Sequence, residues 1–231
     1  MLSHLYIAYE NLTRMVELLE VFGSDLTVVN AARVSFSKES HEMTLGDEKL
    51  IKYLAKHNHN SPFFHPQIRL RLKMPIFVAR EWFRHQIGFA RNEVSRRYVD
   101  SEPECWVPKV DDIRQRDSNL KQGSKDEAVK DCEAIQEMIE THMNMCKSMY
   151  TFLIRKKVAP EVARCVLPQS MMTEFIETGS LAAYARLYGL RNDPHAQKEI
   201  REYAKKVGLL LEEKFPISWK ALTLHEQIAS T

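Results

Sequence analysis

The spacing of apolar residues predicts a chain rich in helices, with one clear strand. Residues 67–74 alternate strictly between apolar and polar side chains, which predicts a strand with one buried face. Apolar residues at helical spacing predict helices along most of the remaining chain. The predicted helices span residues 11–22, 26–34, 47–57, 75–87, 124–157, 160–168, 180–190 and 194–215, and a second strand is expected over 169–178.

Local signals set several boundaries of these elements. Ser124 and Glu127 have the spacing of a capping box, which predicts the start of the longest helix. Asp193 followed by Pro194 predicts an N-cap and the first turn of another helix. The polar stretch 103–123, which contains two prolines, predicts an exposed insertion.

Composition places the chain among globular proteins. It has 231 residues, of which 44% are hydrophobic and 28% are charged. We expect a single domain over residues 1–231 of the α+β class, helix-rich around a small, mainly antiparallel sheet. The net charge of +2 argues against a general nucleic-acid-binding surface. No signal peptide is seen and no run approaches about 18 apolar residues, so no membrane partner is expected.

The four cysteines show neither metal-site nor dense disulfide spacing. Cys105, Cys132, Cys146 and Cys165 contain no C-x-x-C pair. In a chain of this length, such cysteines indicate reduced thiols of a cytoplasmic protein. No pattern pairs a thiol with a base, so no cysteine is predicted to be catalytic.

Residues 84–98 concentrate hydrogen-bonding side chains. The segment reads RHQIGFARNEVSRRY and carries four guanidinium groups. Because arginine suits bidentate recognition of phosphates and planar groups, the segment predicts an anion-binding site. An alternative is a non-enzymatic nucleic-acid-binding module with a basic and aromatic patch. That patch would consist of Arg91, Arg96, Arg97 and Tyr98.

Arg191 adds a second candidate for anion binding. It precedes the helix predicted to start at Asp193, and His195 lies in the first turn of that helix. Free N–H groups and partial positive charge at a helix N-terminus favour anions. Arg164, taken alone, is more typical of a surface ion pair.

Metal and Rossmann-type dinucleotide sites are not expected. His57, His59, His65 and His85 lack the paired spacing of a structural zinc site, and no cysteine lies nearby in sequence. The chain has seven glycines and no G-x-G-x-x-G motif.

Six segments, in order along the chain, resemble the flavin-dependent thymidylate synthases. The signature of that family is Arg-His-Arg, seven or eight residues, and Ser, usually within Asn-Glu-x-Ser-x-Arg-Tyr. This chain has Arg84-His85-Gln86, eight residues, and Ser95, within Asn92-Glu93-Val94-Ser95-Arg96-Arg97-Tyr98. The other matching segments are 31–36, 57–63, 75–84, 161–168 and 190–197.

The resemblance implies a homotetramer with active sites between subunits, each holding FAD, dUMP and a folate. It implies reductive methylation of dUMP to dTMP, with methylenetetrahydrofolate as carbon donor and NADPH as reductant. Arg164 would come from a neighbouring subunit. The implied dUMP-binding residues are Glu81, Arg84, Glu93, Val94, Ser95, Arg96, Arg97, Arg164 and Arg191. The implied FAD-site residues are Ser35, His59, Ser61, Arg84, His85, Gln86, Asn92, Glu93, Ser180, Ala182, Arg186 and His195.

Arg191 is predicted to be the catalytic residue. Neutral uracil is a poor carbon nucleophile at C5, and a cation on its N3–O4 edge would stabilise the N3 anion. Gln86 and Glu81 depart from the family, which usually has arginine at the first position and often glutamine at the second. A second alternative is therefore a flavoprotein that has lost synthase activity.

Overall fold

The computed structural model describes residues 15–117 and 123–229, with only the backbone described for 225–229. Residues 11–14 of the first predicted helix lie outside this range. The helices are α1 (Asp25–Arg33), α2 (Leu45–Lys56), α3 (Ile76–Trp82), α4 (Cys132–Arg155), α5 (Pro160–Ala163), α6 (Leu181–Arg191), α7 (Lys198–Lys214) and α8 (Pro216–Ala229). The strands are β1 (Val16–Phe22), β2 (Gln67–Pro75), β3 (Phe89–Glu93), β4 (Arg114–Arg116), β5 (Ser124–Ala128) and β6 (Met172–Ser180).

The chain divides into two compact units. The first contains the described residues of 15–72, 83–92 and 176–229, and the second contains 73–82 and the described residues of 93–175. The prediction of a single domain over 1–231 stays a prediction. The α+β prediction is confirmed, because helices dominate around a small sheet.

The four-stranded sheet has strand order β1-β2-β6-β3. β1 and β2 pair antiparallel, with Val16 opposite Leu72 and Phe22 opposite Gln67. The predicted alternation of β2 is confirmed, since its Ile68, Leu70 and Leu72 are fully buried. The outward-facing side chains of β2 include Arg69 and Arg71, which pair with Glu20 and Glu17 of β1.

Helices form the rest of the core of the first unit. α2 packs on α8, and α6 packs on both α7 and α8. α6 is apolar around most of its circumference and is largely buried. Buried Asp25 accepts the N–H groups of Ile217 at 3.0 Å and Ser218 at 2.9 Å. Its carboxylate therefore satisfies unpaired donors in the first turn of α8.

The second unit contains the long helix α4 and the β4–β5 hairpin. Within the hairpin, Arg114 lies opposite Ala128 and Arg116 opposite Ser124. The predicted exposed insertion at 103–123 is wrong at its start. There, Trp106 donates its N–H to the Ser170 carbonyl at 2.8 Å, and Pro103 is buried.

Three of the predicted helices differ from the structure in their described residues. The apolar spacing of residues 16–22 fits a strand as well as a helix. They form a strand because they pair with β2. Residues 124–128 form β5, so the apparent capping box does not begin the long helix, which starts at Cys132. The helix expected from Pro194 starts at Lys198, because the Asp193 carboxylate accepts the His195 N–H at 2.7 Å and closes a turn instead.

The helix expected over 75–87 is shorter than predicted. Pro75 is the last residue of β2, and the helix ends at Trp82. None of the described helices is long and apolar enough to cross a membrane.

Candidate functional site

In the first unit, the residues following Arg84 are held against the start of α6. Gly88 has a φ of +83°, and a Cβ there would lie 2.8 Å from the Ala183 Cβ. The Gly88 carbonyl accepts the Ser180 N–H at 3.1 Å. Only glycine fits both this positive φ and this close approach to Ala183. The turn at Gly88 therefore fixes the direction in which the His85 side chain, three residues earlier, projects.

His85 and Arg191 are joined by a hydrogen bond. Arg191 Nε donates to His85 Nε2 at 2.9 Å. Burial, and then the positive charge of Arg191, lower the pKa of His85 to about 4. Three further guanidinium groups lower this pKa as well; they belong to Arg91, Arg186 and Arg84. The imidazole is therefore neutral at neutral pH, and its Nε2 accepts the hydrogen bond from Arg191.

Arg191 does not precede a helix, contrary to the sequence prediction. It is the last residue of α6, and His195 lies in the turn between α6 and α7. A cation at this end of a helix is favoured by the partial negative charge of the last carbonyls. The argument from a helix N-terminus is therefore wrong, although Arg191 does lie beside the 84–98 motif.

Arg91 is part of a buried ion pair. Its guanidinium binds the carboxylate of fully buried Glu177 and lies 4.7 Å from the ring centroid of Phe89 and 5.2 Å from that of Phe83. Burial and the adjacent Glu177 carboxylate raise the pKa of Tyr184. Arg91 is therefore not a member of an exposed basic patch, and the nucleic-acid alternative loses one of its four residues.

A separate cavity in the first unit has a volume of about 900 Å³. Three of the predicted flavin-site residues, Ser35, His59 and Ser61, line it together. The other lining residues are Ala31, Ala32, Arg33, Phe36, Lys38, Leu50, Tyr53, Leu54, Asn58, Asn60 and Pro62. This volume lies within the range of ligand pockets, and the lining mixes aromatic and polar groups as ligand pockets do.

Buried Asp47 fixes one wall of this cavity. It accepts hydrogen bonds from Arg33 Nε at 2.9 Å and from Thr44 Oγ1 at 2.6 Å. The hydrogen bond from Thr44 is the largest effect that lowers the pKa of Asp47, and Arg33 adds to it. Sequence reasoning missed Asp47, although Thr44-x-x-Asp47 has capping-box spacing.

The remaining predicted flavin-site residues of the first unit differ in exposure. Ser180 is buried, and its hydroxyl accepts the Ala183 N–H at 3.2 Å as the N-cap of α6. Ala182 is buried as well. Arg186 donates to the Ile87 carbonyl at 2.6 Å. The exposed members of this set are Arg84, Gln86, Asn92 and His195.

The second unit holds the rest of the signature. Glu93 accepts a hydrogen bond from Thr173 Oγ1 at 2.5 Å, and Val94 donates its N–H to the Glu174 carbonyl at 2.9 Å. Ser95 Oγ accepts the Arg97 N–H at 3.3 Å. These contacts fix the conformation of the backbone that carries the predicted nucleotide-binding side chains.

Two arginines of the second unit that the resemblance implies for dUMP binding lie at its surface. Arg97 is half exposed and lies 3.8 Å from the Glu161 carboxylate, a weak surface pair. Arg164 is exposed in the 3₁₀ turn after α5. Arg96 donates to the Ser101 carbonyl, and Glu81 lies half-buried on α3.

The histidines near the cavity make ring contacts. His57 and Tyr53 have ring centroids 4.3 Å apart, and the centroid of His59 lies 6.0 Å from that of Tyr53. Among the described residues, no three His, Cys, Asp or Glu side chains are grouped so as to hold a metal ion.

Known proteins match this chain along almost all of its length. The family model described as "Thymidylate synthase complementing protein" matches residues 17–217. A flavin-dependent thymidylate synthase of Thermosipho melanesiensis is 38% identical over 207 residues, which are 89% of each chain. This chain belongs to the flavin-dependent thymidylate synthase family.

Other members and a solved structure agree with that assignment. A flavin-dependent thymidylate synthase of Thermus thermophilus is 37% identical over 91% of this chain and 76% of its own length. The structure of the UMP/dUMP methylase PolB from Streptomyces cacaoi bound with 5-Br dUMP has a TM-score of 0.80 and 29% identity. It covers 91% of this chain and 94% of that one. The chain is thus an enzyme of the flavin-dependent methyltransferase type.

Proposed function

We propose that this protein methylates dUMP to dTMP. Methylenetetrahydrofolate would supply the carbon, and NADPH would supply the reducing equivalents. The observation that carries the proposal is the 2.9 Å hydrogen bond between Arg191 and His85. This bond joins Arg191, the predicted catalytic residue in segment 190–197, to His85 of the family signature, and both residues lie in the first unit.

Arg191 is the residue proposed to activate uracil. A guanidinium stays protonated at any pH in which the protein is folded, so it can stabilise negative charge on the N3–O4 edge. Neutral His85 would fix the direction of that guanidinium before substrate arrives, which limits the reorganisation needed in the transition state.

The residues proposed to bind FAD fit a flavin in two respects. Ser35, His59 and Ser61 line one cavity of ligand size, and His85 and Arg186 add hydrogen-bonding groups and positive charge elsewhere in the first unit. When bound, FAD would supply the hydride, because no side chain can donate one. The full proposed FAD set is the one implied by the resemblance, with Gln86, Asn92, Glu93, Ser180, Ala182 and His195 included by motif position.

The dUMP phosphate is proposed to bind to Ser95, Arg97 and Arg164. Arginine and hydroxyl groups are suitable partners for a phosphate, and both guanidinium groups are exposed in a single chain. Arg164 is proposed to act in the site of a neighbouring subunit of a homotetramer. Glu81, Arg84, Glu93, Val94 and Arg96 complete the proposed nucleotide set.

The four free thiols fit the reducing conditions of the cytoplasm, where we place the reaction.

Tritium release from C5-labelled dUMP tests the reaction directly. With methylenetetrahydrofolate, NADPH and FAD, the protein should release tritium and form dTMP. A yellow protein that binds dUMP but releases no tritium would instead support the alternative of a flavoprotein without synthase activity. A colourless protein that binds nucleic acid with strong salt dependence would support the nucleic-acid module.

Arg191→Ala tests the proposed catalytic residue. We expect turnover to fall by about 10²-fold or more, while the flavin spectrum remains. Arg69→Ala, on the outer face of β2, is the control and should keep full activity. Turnover above a few per cent in Arg191→Ala at saturating dUMP would remove Arg191 from its proposed role.

A further inference from the structure

The charged pair of Arg91 and Glu177 is buried inside the first unit. Its side chains are 14% and 0% exposed, and Arg91 Nη2 is buried with no hydrogen-bond partner among the described residues. Desolvation offsets most of the attraction within such a pair, and apolar side chains of similar size are often as stable or more stable. Stability alone therefore does not account for a charged pair at this position.

The pair is linked by ring contacts to two segments that carry proposed site residues. Its guanidinium lies 5.2 Å from the ring centroid of Phe83, which is two residues before His85, and 4.7 Å from that of Phe89. The Phe89 ring in turn meets the ring of buried Tyr184 edge-on, with 4.9 Å between centroids. Tyr184 belongs to α6, the helix that ends at Arg191.

These rings are packed too closely to move independently. Gly179 follows Glu177 by two residues on β6, and a Cβ there would lie 2.5 Å from the Phe89 ring and 2.8 Å from the Tyr184 ring. A close-packed interior transmits a displacement instead of absorbing it. A change at the charged pair would therefore shift the segment of His85 relative to α6.

The pair also acts on His85 through its charge. Burial, and then the positive charges around the imidazole, lower the pKa of His85 to about 4. In order of effect, these charges belong to Arg191, Arg91, Arg186 and Arg84. Because the Glu177 carboxylate binds the guanidinium of Arg91, the second of these charges is held at a fixed place in the unit.

We propose that the Arg91–Glu177 pair positions His85 for its hydrogen bond with Arg191. Glu177 fixes the guanidinium of Arg91, which holds the rings next to it and keeps the imidazole in the neutral form that accepts a hydrogen bond. Arg91 and Glu177 are thus positioning residues, which act on Arg191 through His85. The proposal rests on the roles proposed above for His85 and Arg191, but its main measurements do not require turnover.

Replacing both partners by methionine separates positioning from stability. Arg91→Met with Glu177→Met removes both charges and keeps long side chains, so the midpoint of urea unfolding should stay equal or rise. The NMR midpoint of His85 should nevertheless rise from about 4 towards 6.5. The Nε–H signal of Arg191 should exchange faster with solvent, and dTMP formation should fall by about 10²-fold.

A stable double variant with a His85 midpoint near 4 and an unchanged Arg191 signal would overturn the proposal. If the wild type forms no dTMP, the proposed function fails, and the two NMR measurements still decide the role of the pair.

Tyr184→Phe is the matched control, because it removes a buried hydroxyl from the same cluster and keeps the ring and both charges. It should leave the His85 midpoint and the Arg191 signal unchanged. Changes as large as those in the double methionine variant would show that any disturbance of the cluster suffices, and would overturn the role of the charged pair.

Two milder variants decide the question if the double methionine variant does not fold. Arg91→Lys keeps both charges, and Arg91→Gln with Glu177→Gln replaces them by amides that can bond to each other. The His85 midpoint should stay close to 4 in the first variant and rise in the second. Equal midpoints in the two variants would overturn the proposal.

Discussion

At the scale of single residues, Arg191 shows what sequence reasoning can and cannot supply. Its position in a family segment predicted that it lies near the 84–98 motif, and the hydrogen bond to His85 agrees with this. The physical reason first given, a helix N-terminus, was wrong because Asp193 closes a turn and delays the next helix. A residue type indicates whether its side chain can cap a helix. Whether a helix begins at that residue depends on the conformation of the neighbouring backbone.

We predict that His85 titrates near pH 4 in the ligand-free protein. Burial and the surrounding guanidinium groups lower its pKa from the ordinary value of 6.5 to about 4. The unfolded chain therefore binds more protons between these values. The folded state is therefore most stable, as far as His85 is concerned, above pH 6.5, where the imidazole is neutral in both states. Its stability decreases as the pH falls from 6.5 towards 4.

Two measurements check this pKa. The NMR signal of the His85 ring should titrate with a midpoint near 4. Urea unfolding at pH 7 and pH 4.5 should show that wild type loses more stability than His85→Gln does. A His85 midpoint near 6.5 would contradict the prediction.

We predict that Glu177→Ala is strongly destabilising. It removes the partner of buried Arg91 and leaves an uncompensated charge beside Phe89, at a cost of about 3–5 kcal/mol. Glu17→Ala, in the exposed pair with Arg71, should cost about 1 kcal/mol or less. Urea unfolding of both variants measures the difference, and equal losses would show that the Glu177 pair is no more important than a surface pair.

At the scale of elements, the strands and helices differ in how well the sequence indicated them. β2 was predicted because its alternation matches a sheet with one solvated face, and the structure has that face. β1 was mistaken for a helix because its apolar positions suit both periods, and only pairing with β2 selects the strand. β5 was mistaken for a helix start because a polar segment of a hairpin has no alternation to reveal it.

Gly88→Ala is predicted to loosen the contact between the motif turn and α6. Its φ of +83° is unfavourable for alanine, and the added Cβ would meet Ala183 at 2.8 Å. We expect a loss of about 1–3 kcal/mol in stability and weaker flavin binding. Gly46→Ala is the control, because a Cβ there meets only Thr44 at 3.6 Å and alanine favours the helix by up to about 1 kcal/mol. Urea unfolding should give opposite signs for the two variants.

At the scale of the whole molecule, composition and motif order predicted the class and the family, and both are confirmed. The division of the chain into two compact units was not predicted. Each unit is made of segments that are separated in the sequence; residues 73–82 and 93–175, for example, belong to one unit. No stretch with the composition of a linker marks the boundaries between the units. The substrate-binding residues proposed in each unit were assigned from family position, since periodicity alone does not indicate chemistry.

We predict that FAD stabilises the folded protein against heat. A ligand that binds only the folded state at 100 times its Kd adds about 2.7 kcal/mol, or roughly 5–10 °C in Tm for a chain of this size. His59→Ala should reduce this shift, because His59 lines the 900 Å³ cavity. His65→Ala, at a neighbouring exposed histidine that does not line it, should keep the shift. Equal shifts in both variants would place the flavin elsewhere.

The direct passage from β6 into α6 limits how this enzyme can change in length. Ser180 ends the strand and Leu181 begins the helix, so no loop between them can absorb an inserted residue. One insertion there would turn every later position of α6 by about 100° relative to the sheet. Arg186 and Arg191 would then point away from Ile87 and His85. For protein engineering, this junction is a position where substitutions can be tried but the residue count should be kept.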